Sequence, residues 1–365
     1  MRHLFSLLML VLLPVALSSG VLAFETAALQ AILIDSATGT VLLEKDSDVP
    51  APPASLSKLM TSYMVFEEIK MGGLALDDML LVSEKAWRMG GSKMFVLVNS
   101  EVNVEDLIRG IVVQSGNDAC IVVAEALGGS EEGFADMMNE KAVELGMTNS
   151  TFANATGWPH PDQRMSAADL ATLTRHMIRD FPGYYAYFEE TSFTYNEIKQ
   201  SNRNPLLYKD IGADGLKTGH TEEAGYGLVS SAIRDGRRLI LVTAGLSSTK
   251  ERAGENARLI NWGFREFENY ALFEKGETVI DAKVWLGSEA AIPLIVPERV
   301  HLTLRRKARK DLAITVIYEG PVPAPLVKGQ QIAHLHIVAP GMDTQIIPLL
   351  AARSVDRLGF FGRLG

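Results

Sequence analysis

The stretch Pro52–Met60, "PPASLSKLM", places a lysine three residues after a serine. On a helix, positions i and i+3 share a face, so Lys58 can hydrogen-bond Ser55 while Ser57 points elsewhere. Taken alone, the stretch is more typical of a capped helix start with a solvated lysine than of a nucleophile beside its base. The same spacing recurs at residues 247–250, "SSTK", so spacing by itself identifies no site.

Two further motifs distinguish the two copies. Ser115–Asn117, in "QSGND", lies at a predicted turn into a helix, and Lys217–Gly219, in "DGLKTGHT", lies on a predicted strand. Each motif occurs once in the chain, and only the copy at Ser55 precedes both of them. The order Ser-x-x-Lys, Ser-x-Asn, Lys-Thr-Gly is the motif set of penicillin-binding proteins and serine β-lactamases.

Physical chemistry explains why these residue types occur together. A serine hydroxyl is a poor nucleophile until a base removes its proton, and a lysine is a base only when neutral. Burial and a second cation such as Lys217 would favour neutral Lys58. Backbone N–H groups at the helix start would hold an oxyanion near Ser55. Gly219 would let a substrate lie against its strand, and Lys217 and Thr218 offer a charge and a hydroxyl to a carboxylate.

Composition narrows the class of protein. With 365 residues, 47% hydrophobic and 22% charged, the chain is an ordinary globular protein of roughly two domains. A formal net charge of -9 argues against nucleic acid as the main partner. No motif indicates a metal, nucleotide or other cofactor. His334 and His336 share a strand face, but without a third ligand nearby an exposed polar face is the favoured interpretation.

The N-terminus predicts export. An apolar run from Leu4 to Leu17 ends in small residues, which indicates a signal peptide over residues 1–23 with cleavage after Ala23. A retained membrane anchor is the alternative, but the run is shorter than the ~20 residues of a spanning helix. The single cysteine, Cys120, lies in a helical apolar pattern and is predicted to be a buried packing thiol.

The order of segments predicts an α/β fold in the α+β sense. An N-terminal hairpin ("AILIDSATGTVLLEKD") and three late strands, two of them joined at Asp235–Gly236, form one five-stranded, largely antiparallel sheet with a helical insert. This catalytic domain is predicted to cover residues 24–267. Short strands over residues 268–352 predict a small all-β domain, and residues 353–365 form a short basic and aromatic tail.

The chain resembles the low-molecular-mass penicillin-binding proteins, specifically the serine-type D-alanyl-D-alanine carboxypeptidases of Gram-negative cell envelopes. Beyond the three motifs, the resemblance is carried by "SGNDAC", "LGMTNSTFANATGWPH", "DGLKTGHTEEAGY" and "WGFREFE". It covers essentially the whole mature chain, including the β-rich domain.

The resemblance implies catalytic roles. Ser55 would be the acylated nucleophile, Lys58 its base, and Ser115 the relay of a proton to the leaving D-alanine. Asn117 would lie in the cleft, and the amides of Ser55 and His220 would form the oxyanion hole.

The resemblance also implies substrate-binding residues. Lys217 and Thr218 would hold the terminal carboxylate of the substrate, beside Gly219 on the same strand. Arg203, in "SNRNPLLY", matches a family arginine near the cleft, with a surface or structural arginine as the alternative.

The activity that the resemblance implies is removal of the terminal D-alanine from peptidoglycan pentapeptides, with β-lactams as acylating inhibitors. A β-lactamase is disfavoured because the family pattern Glu-x-x-Leu-Asn is absent between Ser115 and Lys217. A D,D-endopeptidase of the same fold stays open. A non-catalytic cell-wall scaffold is disfavoured because all three motifs are intact.

The expected location is the periplasm. Peripheral contact with the outer face of the inner membrane is an open alternative, because the tail carries arginines and phenylalanines. A segment this short predicts weak binding to an anionic membrane surface. The residues concerned are Arg353, Arg357, Phe360, Phe361 and Arg363.

Overall fold

The computed structural model describes residues 25–359. The predicted signal peptide and the tail residues Phe360, Phe361 and Arg363 lie outside the described residues. Helices of the described part are α1 Lys58–Met71, α2 Glu84–Arg88, α3 Val104–Val112, α4 Asn117–Gly128, α5 Glu131–Glu144, α6 Ala167–Asp180, α7 Pro182–Tyr185 and α8 Thr249–Glu266. Residues 25–359 also contain four 3-10 turns, which span Ala54–Ser57, Ala186–Glu189, Pro205–Tyr208 and Arg306–Asp311.

The strands divide between two domains. Those of the first are β1 Gln30–Asp35, β2 Val41–Lys45, β3 Met79–Leu81, β4 Glu101–Asn103, β5 Ser192–Tyr195, β6 Ile198–Ser201, β7 Ala213–Thr221, β8 Gly225–Arg234 and β9 Arg237–Leu246. Those of the second are β10 Phe267–Phe273, β11 Thr278–Trp285, β12 Ala291–Ile295, β13 Val300–Arg305, β14 Ala313–Ile317, β15 Val322–Pro323, β16 Gln331–Val338 and β17 Gln345–Ala351.

The predicted five-stranded antiparallel sheet is confirmed. Its order is β2-β1-β9-β8-β7, so the N-terminal hairpin joins the three late strands through the β1–β9 ladder. Asp235 and Gly236, which join β8 to β9, both have positive φ angles, as a type I′ turn requires. The chain therefore returns to one sheet after the helical insert.

The sheet is covered on both faces. The helical insert packs on one face and forms the larger core, centred on α1 and α4. On the other face α8 lies close to the sheet, because a Cβ at Gly263 would come within 2.8 Å of Leu33 and Leu239. Strands buried on both faces read as continuous apolar runs.

The segment around Ser55 is not a plain α-helix. The structure has a 3-10 turn over Ala54–Ser57, and α1 begins only at Lys58. Every residue from Lys58 to Phe66 is buried, so α1 is surrounded by the insert rather than lying at the surface. The lysine that follows the turn therefore enters the protein interior.

The C-terminal domain is all-β, as predicted. Strands β14, β16, β17, β12, β11 and β15 form one sheet, and β10 pairs with β13. Residues 353–357, which the sequence assigned to the tail, still pair with this domain through the bridges Leu326–Val355 and Gly287–Arg357. Arg353 also forms an ion pair with Glu289.

Two expectations concern metals and membranes. His334 and His336 have ring centroids 6.5 Å apart on β16. Among residues 25–359 no group of three or more His, Cys, Asp or Glu side chains could hold a metal ion. Within the same range, no helix combines the length and apolar character needed to cross a membrane.

Candidate active site

Ser55 and Lys58 form a hydrogen-bonded pair at the start of α1. The Lys58 Nζ lies 2.9 Å from the Ser55 Oγ and 2.5 Å from the carbonyl oxygen of Thr156. Lys58 is fully buried, whereas Ser55 is partly exposed at the surface of the cleft. Ser57 is buried and donates to the Ala54 carbonyl, so it faces away, as the helical spacing predicts.

Burial makes Lys58 a candidate base. Loss of hydration lowers its pKa to about 8, and the positive charge of Arg203 acts in the same direction. The carboxylate of Asp118 opposes this effect. The lowered pKa leaves a fraction of the Lys58 side chains neutral near neutral pH and able to accept the Ser55 proton.

A second lysine–serine pair faces the same buried region. Ser115 ends the loop before α4 with a positive φ angle and is buried. The Lys217 Nζ donates to the Ser115 Oγ at 2.8 Å and to the Thr218 carbonyl at 3.1 Å. Burial, and then the charges of Lys58 and Arg203, hold the pKa of Lys217 well below its usual value.

Asn117 holds a glycine-containing loop over the cleft. Its Nδ2 donates to the Gly90 carbonyl at 2.8 Å, and its backbone N–H donates to the Ser92 carbonyl at 2.7 Å. A Cβ at Gly91 would lie 2.7 Å from the Asn117 Nδ2, so only glycine fits this close approach. The loop includes the Ser92 hydroxyl, which accepts from Arg203 at 2.6 Å.

That contact places Arg203 at the edge of the site. The side chain is exposed, but its charge lowers the pKa values of both Lys58 and Lys217. These contacts favour the interpretation of Arg203 as a cleft residue over that of an unrelated surface arginine.

Strand β7 forms one wall of the site. Thr218 is buried at this wall. A Cβ at Gly219 would lie 2.9 Å from the Pro53 carbonyl and 3.0 Å from the Leu56 Cγ. Gly219 is thus needed for close packing of β7 on the turn that carries Ser55, and space for a substrate against the strand stays a prediction. His220 is exposed and its ring stacks on Tyr226.

Sequence reasoning missed Asp118, which holds the backbone of the segment after the Gly91 loop. Its two carboxylate oxygens accept hydrogen bonds from the backbone N–H groups of Met94, Phe95, Val96 and Ala119, at 2.9 to 3.3 Å. Its position directly after the Ser-x-Asn motif was the available signal.

Asn154 was also missed. It fixes the turn that contains the Thr156 carbonyl, which accepts a hydrogen bond from Lys58. Its Oδ1 accepts from the backbone N–H groups of Thr156, Gly157 and Trp158. This turn presents the Thr156 carbonyl to the Lys58 ammonium. Local sequence offered only the Asn-x-Thr pattern, which is a weak signal.

Arg252 is a third residue without a sequence motif. It lies on α8, is buried, and stacks over the Tyr226 ring at 5.6 Å. Its charge contributes to the low pKa of Lys217. Among the described residues, its Nε has no hydrogen-bond partner.

Cys120 is a packing residue, as predicted. It is fully buried, and burial raises the pKa of its thiol to about 12. The thiol is therefore neutral near both lysines, and is a poor nucleophile because only the thiolate reacts readily.

Comparison with known families decides the assignment. Residues 18–248 match the family model described as D-alanyl-D-alanine carboxypeptidase, peptidase S11. The chain belongs to this family. Residues 267–357 match the model for the C-terminal domain of penicillin-binding protein 5.

Family relatives match over nearly the full length. The D-alanyl-D-alanine carboxypeptidase DacC of Escherichia coli K12 is 39% identical, with 91% of this chain and 85% of the relative covered. The crystal structure of penicillin-binding protein 5 from Haemophilus influenzae has a TM-score of 0.82 at 36% identity, covering 91% of this chain and 98% of the other. The fold prediction is thereby confirmed.

A more distant family structure contains a β-lactam. Penicillin-binding protein D2 from Listeria monocytogenes, in an ampicillin-bound form, matches with a TM-score of 0.61 at 29% identity. It covers 66% of this chain and 99% of its own. The shared region corresponds in extent to the first domain.

Proposed function

We propose that this chain removes the terminal D-alanine from peptidoglycan pentapeptide stems through an acyl-serine intermediate. Its class, a serine-type D-alanyl-D-alanine carboxypeptidase, follows from the family. The observation that carries the proposal is the Lys58–Ser55 hydrogen bond of 2.9 Å, made by a buried lysine whose pKa is about 8.

Acylation follows from this pair. Neutral Lys58 accepts the Ser55 proton as the Oγ attacks the carbonyl carbon of the penultimate D-alanine. The backbone amides of Ser55 and His220 stabilise the negative charge on the carbonyl oxygen. The peptide C–N bond then breaks, and the leaving amine of the terminal D-alanine receives a proton through Ser115.

Lys217 both supports that proton transfer and binds the substrate. Its Nζ donates to the Ser115 Oγ, so it can orient the hydroxyl toward the leaving amine. With the Thr218 hydroxyl it binds the terminal carboxylate, whose negative charge favours the protonated form of Lys217 against the burial and the Arg252 charge that lower its pKa. A carboxylate is the group that such a cationic pocket selects.

Deacylation returns the enzyme to its starting state. Water attacks the ester carbon, its proton passes to Lys58, and the Ser55 Oγ is released with a proton restored. A β-lactam carries a carboxylate and a reactive amide, so it acylates Ser55 by the same route. Its ring nitrogen stays attached to the acyl group, which leaves a slowly hydrolysed adduct.

The decisive experiment is a time course with two substrates. A soluble peptide ending in D-Ala-D-Ala reports release of free D-alanine, and a chromogenic β-lactam reports ring opening. We expect steady D-alanine release and a single burst of β-lactam consumption. Ser55→Ala should abolish both signals, whereas Ser57→Ala should retain the burst if it still folds.

Other outcomes identify the alternatives. Rapid, sustained β-lactam turnover without D-alanine release would indicate a β-lactamase. Cleavage of cross-linked dimeric stems, with none of the terminal D-alanine, would indicate a D,D-endopeptidase. Inactivity in every assay by a folded protein would favour a scaffold.

We also propose that the mature enzyme works in the periplasm. Support comes from the signal-like residues 1–23 and from a substrate that lies outside the cytoplasm. N-terminal sequencing of protein recovered from the periplasmic fraction should begin at Phe24. Peripheral contact of the tail with the inner membrane would be weak, because Arg353 is already paired with Glu289.

A further inference from the structure

A second cleft lies far from Ser55, where the β8–β9 hairpin and α8 meet the C-terminal domain. It has a volume of about 620 Å³. Gly227 of β8 packs against Leu56, beside the nucleophile, and Arg234 lines the second cleft seven residues later. At ~3.3 Å per residue, the two ends are about 23 Å apart. The cleft is lined by Arg234, Arg237, Arg265, Arg306, Asn261 and Asn269, among others.

A basic 3-10 turn extends the cleft into solvent. It follows β13 and reads "RKARKD" over residues 306–311. Residues three apart in a 3-10 turn share one side. Arg306 and Arg309 lie over β10, where Arg306 pairs with Glu268 at 2.8 Å and Arg309 stacks over Tyr270 at 5.3 Å.

The other side of this turn faces solvent. Lys307 and Lys310 are both exposed. Within the described residues neither forms an ion pair, in contrast to Arg306. Their charges are therefore available to bind an anionic ligand at the mouth of the cleft.

The region is positive within an acidic protein. The chain has a net charge of -9. Seven basic side chains nevertheless gather here against six carboxylates. The basic residues are Arg234, Arg237, Arg265, Arg306, Lys307, Arg309 and Lys310, and the acidic ones are Asp35, Asp210, Asp235, Glu266, Glu268 and Asp311.

We propose that this junction patch, defined as Arg234, Arg265, Arg306, Lys307 and Lys310, binds the carboxylates of peptidoglycan stem peptides other than the one being trimmed. The inference rests on the proposed function, since it concerns the same polymer. Stem peptides carry free carboxylates, and guanidinium groups pair with carboxylates in a bidentate geometry. An acidic enzyme would otherwise be repelled by this anionic polymer.

The shape of the patch favours a chain over a lipid surface. The arginines line a concavity, which a flexible peptide enters more readily than a flat bilayer does. A separation of about 23 Å leaves the cleft at Ser55 open while a neighbouring stem occupies the patch. Binding here would keep the enzyme on the polymer between successive cleavages.

Co-sedimentation with insoluble purified peptidoglycan tests the proposal. The full mature chain carries Ser55→Ala throughout, so that no stem is consumed. The test variant is Lys307→Gln/Lys310→Gln. The matched control is Lys283→Gln/Lys328→Gln, which removes the same charge from exposed positions of the same domain.

We expect the test variant to bind about five- to tenfold more weakly at low ionic strength, and the control variant to bind like the parent. Peptidoglycan whose carboxylates have been amidated should no longer bind the parent chain. Raising the salt concentration should remove the difference between the variants.

Three results would overturn the proposal: equal binding by both variants and the parent, equal loss in both variants, or unchanged binding to amidated polymer. Binding to vesicles containing phosphatidylglycerol, without binding to peptidoglycan, would assign the patch to a membrane instead. The proposed function is tested separately with Ser55 intact. Lys307→Gln/Lys310→Gln should release D-alanine from a soluble peptide at the parental rate, and an inactive parent would defeat the proposed function alone.

Discussion

The Ser-x-x-Lys motif occurs twice in the chain, at Ser55–Lys58 and at Ser247–Lys250, and the two lysines have opposite environments. Lys58 is fully buried and bonded to Ser55, whereas Lys250 is exposed on the first turn of α8. The Ser247 hydroxyl donates a hydrogen bond to the Glu251 carboxylate at 2.6 Å and is not bonded to Lys250. The cap of α8 is the next residue, Ser248, whose Oγ accepts from the Glu251 N–H.

The difference shows what turns a lysine into a base. Both copies bring serine and lysine to within one helical turn, because that is a property of spacing. Only the first copy lies under a helical insert that excludes water and supplies the Thr156 carbonyl. The pKa of the lysine therefore depends on what surrounds it, and spacing alone leaves an ordinary solvated side chain.

The largest expected effect comes from removing each serine in turn. Ser55→Ala should reduce D-alanine release by at least about 10⁴-fold, because no acyl-enzyme can form. Ser247→Ala should leave the rate unchanged. Mass spectrometry after incubation with penicillin checks the same point, and a penicilloyl adduct on Ser55→Ala would contradict it.

Next in size is the exchange of each lysine for arginine. Lys58→Arg keeps a positive charge that cannot be lost near neutral pH, so acylation should slow by about 10²- to 10⁴-fold. Lys250→Arg should have no effect on kcat/KM. An active Lys58→Arg enzyme would mean that another group accepts the Ser55 proton.

Glycine substitutions beside the two copies test the packing rather than the chemistry. Gly157 has a positive φ angle, and a Cβ there would lie 1.9 Å from the Ala54 carbonyl on the turn that carries Ser55. Gly157→Ala should lower the free energy of unfolding by about 2 kcal/mol and reduce activity, as measured by urea denaturation and D-alanine release.

Gly254 is the matched control on α8, where an added Cβ meets no atom within 4 Å. Gly254→Ala should raise the free energy of unfolding by about 0.5–1 kcal/mol through better helix propensity. Its activity should not change. Equal destabilisation by both substitutions would show that the turn at Gly157 places no special constraint on the nucleophile.

The smallest effect is a shift in the pH dependence. Because Lys58 must be neutral, kcat/KM should rise with pH and level off above about 8. Arg203→Ala removes a positive charge that lowers this pKa, so the rising limb should move to higher pH. Arg265→Ala, at the distant cleft, should leave the limb in place, and a limb unmoved by Arg203→Ala would separate that arginine from Lys58.

Much of the fold was predictable from sequence, because its signals are local. Alternating strands, the Asp235–Gly236 turn and the order of the three motifs depend on residues close together in the chain. The start of α1 was less predictable. The sequence predicts a helix from Ser55, whereas the structure has a 3-10 turn, packed closely against Gly219 of β7, before Lys58.

The supporting residues of the site were not predictable in the same way. Asp118, Asn154 and Arg252 act through backbone groups or charges that are distant in sequence. No spacing rule connects α8 to the strand that carries Lys217. Gly219 shows the same limit, since its close contact with Pro53 and Leu56 is a packing constraint that no local pattern indicates.

Sequence alone determined the family, the two-domain order and which Ser-x-x-Lys copy precedes the other motifs, because these are properties of residue type and order. Tertiary structure decided the electrostatics. Burial under the insert, and then the positive charge of Arg203, lower the pKa of Lys58 to about 8, against the opposing carboxylate of Asp118. Burial and long-range charge arise from residues brought together by folding, and no local pattern encodes them.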